Sequence, residues 1–259
     1  MKLSLPKSYN RKISRAIAEF DLIEEGDNIL VGFSGGKDSA FLLYTLAIFQ
    51  KSMAIDFKVS ALTIDLGFED DADFSEMEEY CSKLDLPYHI ERTKIADVIT
   101  DENTKNPCSK CAYFRKGSIS EFMSEHGYNK IAYGHHYDDA VETFLMSIIY
   151  SGQIKTFEPK SYLSNSDIHV IRPLIYLREE EIIKAKEITE YNPVASPCPH
   201  DGETKREEIK QLIKSFDDSQ QIFYNLASAM REGNKIELWP EELNNKAILE
   251  RSRKLWNRV

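Results

Sequence analysis

The stretch from residue 28 to 50 constrains the fold more tightly than any other. NILVGF (28–33) is a short, apolar, β-branched run, and DSAFLLYTLAIFQ (38–50) places Leu42, Leu43, Leu46 and Phe49 on one helical face. Between them lies Ser34-Gly35-Gly36-Lys37-Asp38-Ser39. A strand, a glycine loop and a helix in that order bring free backbone N–H groups and the positive end of the helix dipole to one point, where phosphate oxygens bind. Gly35 and Gly36 permit close backbone approach, and Lys37 adds a cation. The spacing is neither G-x-x-x-x-G-K-S/T nor G-x-G-x-x-G, which argues against γ-phosphate transfer and against dinucleotide binding. Asp38 has two readings, a magnesium ligand or a helix cap.

The alternation continues downstream. FKVSALTID (57–65), LPYHIER (86–92) and KIAYG (130–134) read as strands, with helices expected at 74–85, 111–126 and 138–150. Strands alternating with helices predict an α/β fold, a parallel sheet flanked by helices, with ligands at the carboxyl ends of the strands. Beyond residue 150, prolines at 159, 173, 193, 197 and 199 mark a connector around one more strand, IHVIRP (168–173). Helices are expected at 178–190, 203–216, 218–231 and 240–257. The division predicted is an α/β domain with an N-terminal helix over 1–177 and a helical C-terminal extension over 178–259, packed on it.

Two further constellations carry chemistry. YGHHYDDAVET (133–143) follows the strand KIAYG, so Gly134, His135, Asp138 and Asp139 fall at the same sheet edge as the glycine loop, with Glu142 one turn along from Asp138. His136 and Tyr137 carry the weaker signals here, and His136 reads as a packing residue or as one that supports the residues at the ligand. Cys108 and Cys111, in NPCSKCAYFRKGSI just before a helix, have metal or redox spacing, and Cys198 in SPCPHDGE can join them. Three thiolates hold either a [4Fe-4S] cluster with one open iron or zinc completed by His200 or Asp201. Cys81, in an amphipathic helix, reads as a buried apolar residue.

These motifs resemble those of a known family. SGGKDS resembles the signature of the PP-loop ATP pyrophosphatases, which cleave ATP between the α- and β-phosphates. GHHYDD resembles the G-H-x-x-D-D segment of PP-loop enzymes that modify tRNA. With C-x-x-C, IRPLIYLREEEI and SPCPHDGETKREEI, the match extends from about residue 28 to 231 and is similar to the tRNA 2-thiocytidine biosynthesis family. The resemblance implies an ATP-dependent sulfurtransferase that adenylates the C2 oxygen of a pyrimidine, cytidine by preference, and replaces it with sulfur. It places Ser34, Gly35, Gly36, Lys37, Asp38, Ser39, Asp65, Gly134 and His135 around ATP and magnesium. It gives chemical roles to Lys37, Asp38, Asp138 and Asp139, with Asp138 an acid, a base or a magnesium ligand. It assigns an oxygen-sensitive [4Fe-4S] cluster to Cys108, Cys111 and Cys198. The implied partners are tRNA, a sulfur donor (sulfide or a cysteine desulfurase system) and a possible second copy of the chain. Asp201 departs from the pattern, because many relatives carry a second late cysteine there. Thiouridine relatives with terminal zinc fingers have extra C-x-x-C pairs that are not found near either end of this chain.

Charge tempers the RNA reading. The net charge is −10 and the pI about 5.2, so a nucleic acid must be met by a local basic patch. Lys105, Lys110, Arg115 and Lys116 surround the C-x-x-C, and Lys246, Arg251, Arg253, Lys254 and Arg258 with Trp256 form a second group. The acidic run GFEDDADFSEMEE (67–79) is expected to face solvent at a helix start. An adenylating enzyme acting on a small molecule, and a metal- or nucleotide-binding sensor, remain the alternatives at this stage. The N-terminus lacks a secretory signal and no stretch approaches the roughly 18 apolar residues of a membrane span, so no membrane association and a cytoplasmic location are expected.

Overall fold

A computed structural model describes residues 3–100, 104–164, 166–195, 197–199, 205–216, 218–233 and 243–256. Its centre is β1 (Asn28–Gly32), which pairs in parallel with β2 (Lys58–Asp65) on one side and β4 (Lys130–Ala132) on the other. With β3 (Tyr88–Arg92), β5 (Lys160–Leu163) and β6 (Ile168–Ile171), the described strands form one six-stranded sheet in the order β3-β2-β1-β4-β6-β5. Every pairing is parallel except that of β5 with β6. The chain runs outward from β1 to β3 and then returns to the opposite side at β4. That reversal is a topological switch point, and the loops after β1 and β4 open into one crevice at the carboxyl ends of the strands.

Both faces of the sheet are covered, as the apolar strand runs require. Ile29 and Val31 of β1 face a core shared with α1 (Lys7–Glu19), α2 (Lys37–Ser52) and α3 (Ser75–Leu84), whereas Leu30 faces Ile119, Phe122 and Met123 of α5 (Pro107–His126). Almost every residue of α2 from Ser39 to Phe49 is buried, because α3 packs on it together with the short helices α7 (Glu179–Lys184) and α8 (Lys186–Thr189). Helix α6 (Tyr137–Ser151) puts Ala140 into the core shared with α2 and meets α9 (Lys205–Lys214) and α10 (Ser219–Ala229), where Val141 packs with Phe223 and Ala227. Helix α4 (Ile95–Ile99) precedes α5, and α11 (Asn245–Trp256) ends the described chain. Among the described residues no helix is long and apolar enough to cross a membrane.

Four local departures from the sequence reading have physical causes. The expected helix at 111–126 begins at Pro107, where proline's fixed φ suits a first helical position, so Cys108 and Cys111 lie inside α5 and not before it. The expected helix at 178–190 divides at Ala185, whose backbone (φ −70°, ψ −7°) stays right-handed but is flatter in ψ than a regular α-helix, so the hydrogen-bond ladder breaks there. The sheet is not wholly parallel, because the chain doubles back into edge strand β5, a segment too half-buried to show an apolar pattern. Helix α4 is only five residues long and was below the reach of periodicity. The acidic run behaves as expected: Glu69, Asp70 and Asp71 are exposed, and Glu76 and Glu78 sit in the first turn of α3.

The two loops at the switch point touch. A Cβ on Gly134 would come within 2.8 Å of the backbone carbonyl of Asp38 and 3.0 Å of the Ser39 nitrogen, so only glycine lets the β4 loop lie against the first turn of α2. Gly134→Ala is therefore expected to destabilise the protein by about 1–3 kcal/mol through overpacking. Thermal melting checks this, and a midpoint equal to the wild type would mean that the loops are not held together there.

Candidate active site

The phosphate-type loop is closed by its own hydroxyls. Gly35 adopts a positive φ of 77°, which a side chain would strain, and Gly36 is the N-cap of α2. Ser39 Oγ donates to the Gly36 carbonyl at 3.0 Å and accepts the Ser34 N–H at 3.3 Å, while the Ser34 and Ser39 hydroxyls lie 3.2 Å apart. The Gly35 carbonyl in turn accepts the Tyr191 hydroxyl at 3.2 Å and the Val194 N–H at 3.0 Å. These two bonds fasten the proline-rich connector to the loop. Asp38 does not cap α2: its Oδ2 pairs with Lys37 Nζ at 3.0 Å, and its Oδ1 is buried with no hydrogen bond.

His136 stands among three carboxylates. It is the buried N-cap of α6, its backbone N–H donates to Asp139 Oδ2 at 2.8 Å, and its ring nitrogens lie 3.5–3.9 Å from Asp38, Asp138 and Asp139. Its Nδ1, like Asp38 Oδ1, has no hydrogen bond. Two unsatisfied buried polar atoms this close to a loop of free N–H groups mark a place where a ligand completes the bonding. His136 is therefore both buried and turned toward the carboxylates beside the glycine loop. Tyr137 packs edge-on against Phe223 at 5.2 Å.

Cations from the C-terminal helices hold the α6 carboxylates. Arg178 grips both oxygens of Asp138 at 3.1 Å while its guanidinium lies 3.5 Å over the Phe223 ring, and the Glu179 N–H adds a bond of 2.8 Å to Asp138. Asp138 is thereby an anchor, with its lone pairs engaged, and not a free acid or base in this conformation. Arg206 reaches Asp139 at 2.9 Å and Glu142 at 3.3 Å. Lys37 continues into Glu179 at 3.5 Å and Glu179 into Lys210 at 2.5 Å. Burial raises the Glu179 carboxyl, but Lys210 and Lys37 outweigh it and hold the group below the ordinary range. Asp138, Glu142, Arg178, Glu179, Lys210 and Phe223 border a cavity of about 310 Å³ beside these helices.

On the other flank of the β4 loop, His135 Nδ1 accepts from Arg172 Nε at 3.3 Å and its ring lies 5.2 Å from Phe157. Burial drives its imidazole down to about 4, leaving it neutral near pH 7. Tyr133 lies against Gly32 and feels both Arg115 and Arg172. Asp65 is buried at the end of β2, where its carboxylate accepts the Gly67 N–H at 2.9 Å and meets Arg92 at 3.4 Å. It shares the sheet edge with the loop, but its side chain fastens the turn after β2.

The three distant cysteines converge electrostatically. Burial pushes the Cys111 thiol up, Arg115 opposes this, and both Cys198 and Cys108 add to the rise. Cys111 thus lies near enough to feel both other sulfurs, and thiolates are the donors that a cluster or a soft cation takes. None of them is in a disulfide, and Cys108 is exposed while Cys111 and Cys198 are partly so. Among the described residues, however, no three His, Cys, Asp or Glu side chains stand close enough to grip a metal ion. His200 and Asp201, the fourth ligands considered for zinc, lie outside the described residues, as does Arg258. Cys81 is fully buried, and burial moves its thiol up to about 12.

A PP-loop domain model matches residues 5–215. The tRNA-cytidine(32) 2-sulfurtransferase of Citrifermentans bemidjiense is 33% identical over 241 residues, covering 91% of this chain and 94% of the relative. The chain belongs to the PP-loop family. Another relative, the tRNA-cytidine(32) 2-sulfurtransferase of Alcanivorax borkumensis, is 37% identical over 223 residues, covering 83% of this PP-loop chain and 77% of the relative. The fold matches that of the U34-tRNA thiolase NcsA from Methanococcus maripaludis, solved with its [4Fe-4S] cluster, with a TM-score of 0.69 at 23% identity over 90% of this chain and 80% of that one.

Sequence reasoning missed Arg178, Glu179, Arg206 and Lys210, which look like ordinary charges on solvated helices. Glu142 was noticed only as a neighbour of Asp138. Burial, with Asp139 adding to it, raises its carboxyl to about 7, against 4.5 for an ordinary glutamate. The folded chain then holds a proton that the unfolded chain has released, so stability falls as pH rises from about 4.5 to 7. Glu142→Gln removes that decline. Its melting temperature is expected to gain on the wild type at pH 8 relative to pH 5, and an equal difference at both pH values would contradict the raised carboxyl.

Proposed function

We propose that this chain is an ATP-dependent tRNA sulfurtransferase that replaces the C2 oxygen of a tRNA cytidine with sulfur and releases AMP and pyrophosphate. The observation that carries the reading is the similarity to tRNA-cytidine(32) 2-sulfurtransferases across nine-tenths of the chain, and the glycine loop that opens α2 supports it. In the first half-reaction the C2 oxygen attacks the α-phosphorus of ATP, the bond to the bridging oxygen breaks, and pyrophosphate leaves with the electron pair. In the second, a sulfur nucleophile adds at C2, the C–O bond breaks, and AMP departs. Adenylation turns a poor leaving group into a good one, provided that the charge building on phosphorus is met by prearranged donors.

The chain's residues divide this work. The free N–H groups at the start of α2, with Gly35 and Gly36, cradle the departing pyrophosphate, and Ser34 and Ser39 brace the cradle. Lys37 neutralises its charge. Asp38 Oδ1, buried and unsatisfied, is the oxygen suited to Mg²⁺. Gly134 and His135 border the nucleotide, and Asp65 keeps the turn beside it. Asp138 and Asp139 act by holding His136, Arg178 and Arg206 in place. Cys108, Cys111 and Cys198 would hold a [4Fe-4S] cluster, through which sulfur from the donor would be delivered. The PP-loop domain over 1–177 carries the loops, and the extension over 178–259 closes the site with Arg178, Glu179, Arg206 and Lys210. A sulfide or cysteine desulfurase donor, action as a homodimer and a cytoplasmic setting complete the proposal.

Nucleoside mass spectrometry of tRNA from a strain lacking the gene tests the reading. Loss of 2-thiocytidine is expected, and unchanged tRNA thiolation overturns it. In purified protein, Lys37→Ala is expected to cut tRNA-dependent pyrophosphate release by about a hundredfold or more while sparing iron content. Cys198→Ala is expected to lower iron content while ATP binding persists; full iron in that variant removes Cys198 from the ligand set.

A further inference from the structure

We propose that Tyr113 and Phe114 of α5 form a stacking platform for an unpaired nucleotide of the RNA, on the side of α5 away from the cysteines. The proposal rests on the sulfurtransferase reading and adds to it a recognition surface outside the reaction centre. Tyr113 is 75% exposed and Phe114 39%, and their rings meet edge to face at 5.5 Å. With Val98, Lys105 and Lys110 they line a groove of about 440 Å³. The groove residues Asn106, Ser109, Lys110, Tyr113 and Phe114 recur at helical spacing, so they share one face of α5. Cys108, Cys111 and Arg115 recur on the opposite face.

Burial in the fold does not account for these rings, because neither belongs to a described core cluster. Charge selects the occupant. From 104 to 120 the chain carries Lys105, Lys110, Arg115 and Lys116 and no Asp or Glu, although acidic residues outnumber basic ones, 43 to 33, overall. All four cations are exposed. An anionic partner that approaches a chain of net charge −10 is drawn to such a local patch. Aromatic faces flanked by lysines match a single-stranded nucleic acid, whose bases stack while its phosphates meet the cations. A helix is about 10–12 Å across, so a strand passing over the N-terminal end of α5 reaches both faces, with one base on the platform and another toward the cysteines.

The test uses the full chain and a fluorescently labelled anticodon stem-loop RNA. Anisotropy titrations are expected to show that Tyr113→Ala combined with Phe114→Ala raises the Kd about tenfold or more. The salt dependence of that Kd and the affinity for ATP should match the wild type. Lys110→Ala is expected to reduce the salt slope by about one phosphate contact. Tyr113→Trp supplies a readout independent of any loss of fold, because stacking of a base should quench its emission as RNA is added. Wild-type affinity in the double variant, or an unquenched Trp in a complex that anisotropy shows to be formed, overturns the platform and leaves the sulfurtransferase reading intact. Loss of tRNA thiolation with RNA affinity unchanged assigns the face to a protein sulfur donor and likewise overturns it. Absence of any RNA binding by the wild type brings down the sulfurtransferase reading itself.

Discussion

The contact of Gly134 with the backbone of Asp38 and Ser39 is the constraint on which the site depends. It lies at the reversal of strand order between β1 and β4, where two loops emerge side by side from adjacent parallel strands. Because nothing larger than a hydrogen fits there, the His136 ring is brought to within 4 Å of Asp38, next to the glycine loop, and of Asp138 and Asp139 on its other sides. The burial of α2 gives that contact a rigid support. Its first turn is held by packing along most of its length, so the loop before it has little freedom to collapse.

Electrostatics then attach the rest of the chain. Packing brings α7, α9 and α10 against the α6 side, and their cations are consumed in order: Arg178 by Asp138, Arg206 by Asp139 and Glu142, Lys210 by Glu179. Half-buried pairs of this kind contribute modestly to stability, but removing one partner strands the other in a poorly solvated place. They therefore act mainly as positioning devices. Lys37, next to the glycine loop, is partly exposed and divides its charge between Asp38 at 3.0 Å and Glu179 at 3.5 Å.

Much of the fold was legible because it rests on local patterns. The βα alternation, the covering of both sheet faces and the glycine loop follow from short apolar runs, helical spacing and two adjacent glycines. The C-x-x-C pair was legible as a motif, but its position in α5 depended on Pro107 starting the helix four residues early. Edge strand β5 was not legible, because its half-buried residues carry no alternation. Nor were Arg178 and Arg206, since a lysine- and arginine-bearing helix reads the same whether it faces water or a carboxylate.

What the sequence determined by itself was the chemistry available: a phosphate loop, a carboxylate pair after a glycine and a histidine, and three thiols. These are properties of residue type and near spacing. Only the tertiary structure decided which groups are free to act. It engaged Asp138 with Arg178, left Asp38 Oδ1 without a hydrogen bond, and tied the connector that leads to Cys198 onto the Gly35 carbonyl through Tyr191 and Val194. The reason is physical: whether a polar atom is satisfied depends on neighbours that arrive from 40 to 156 residues away, and no local pattern encodes their arrival.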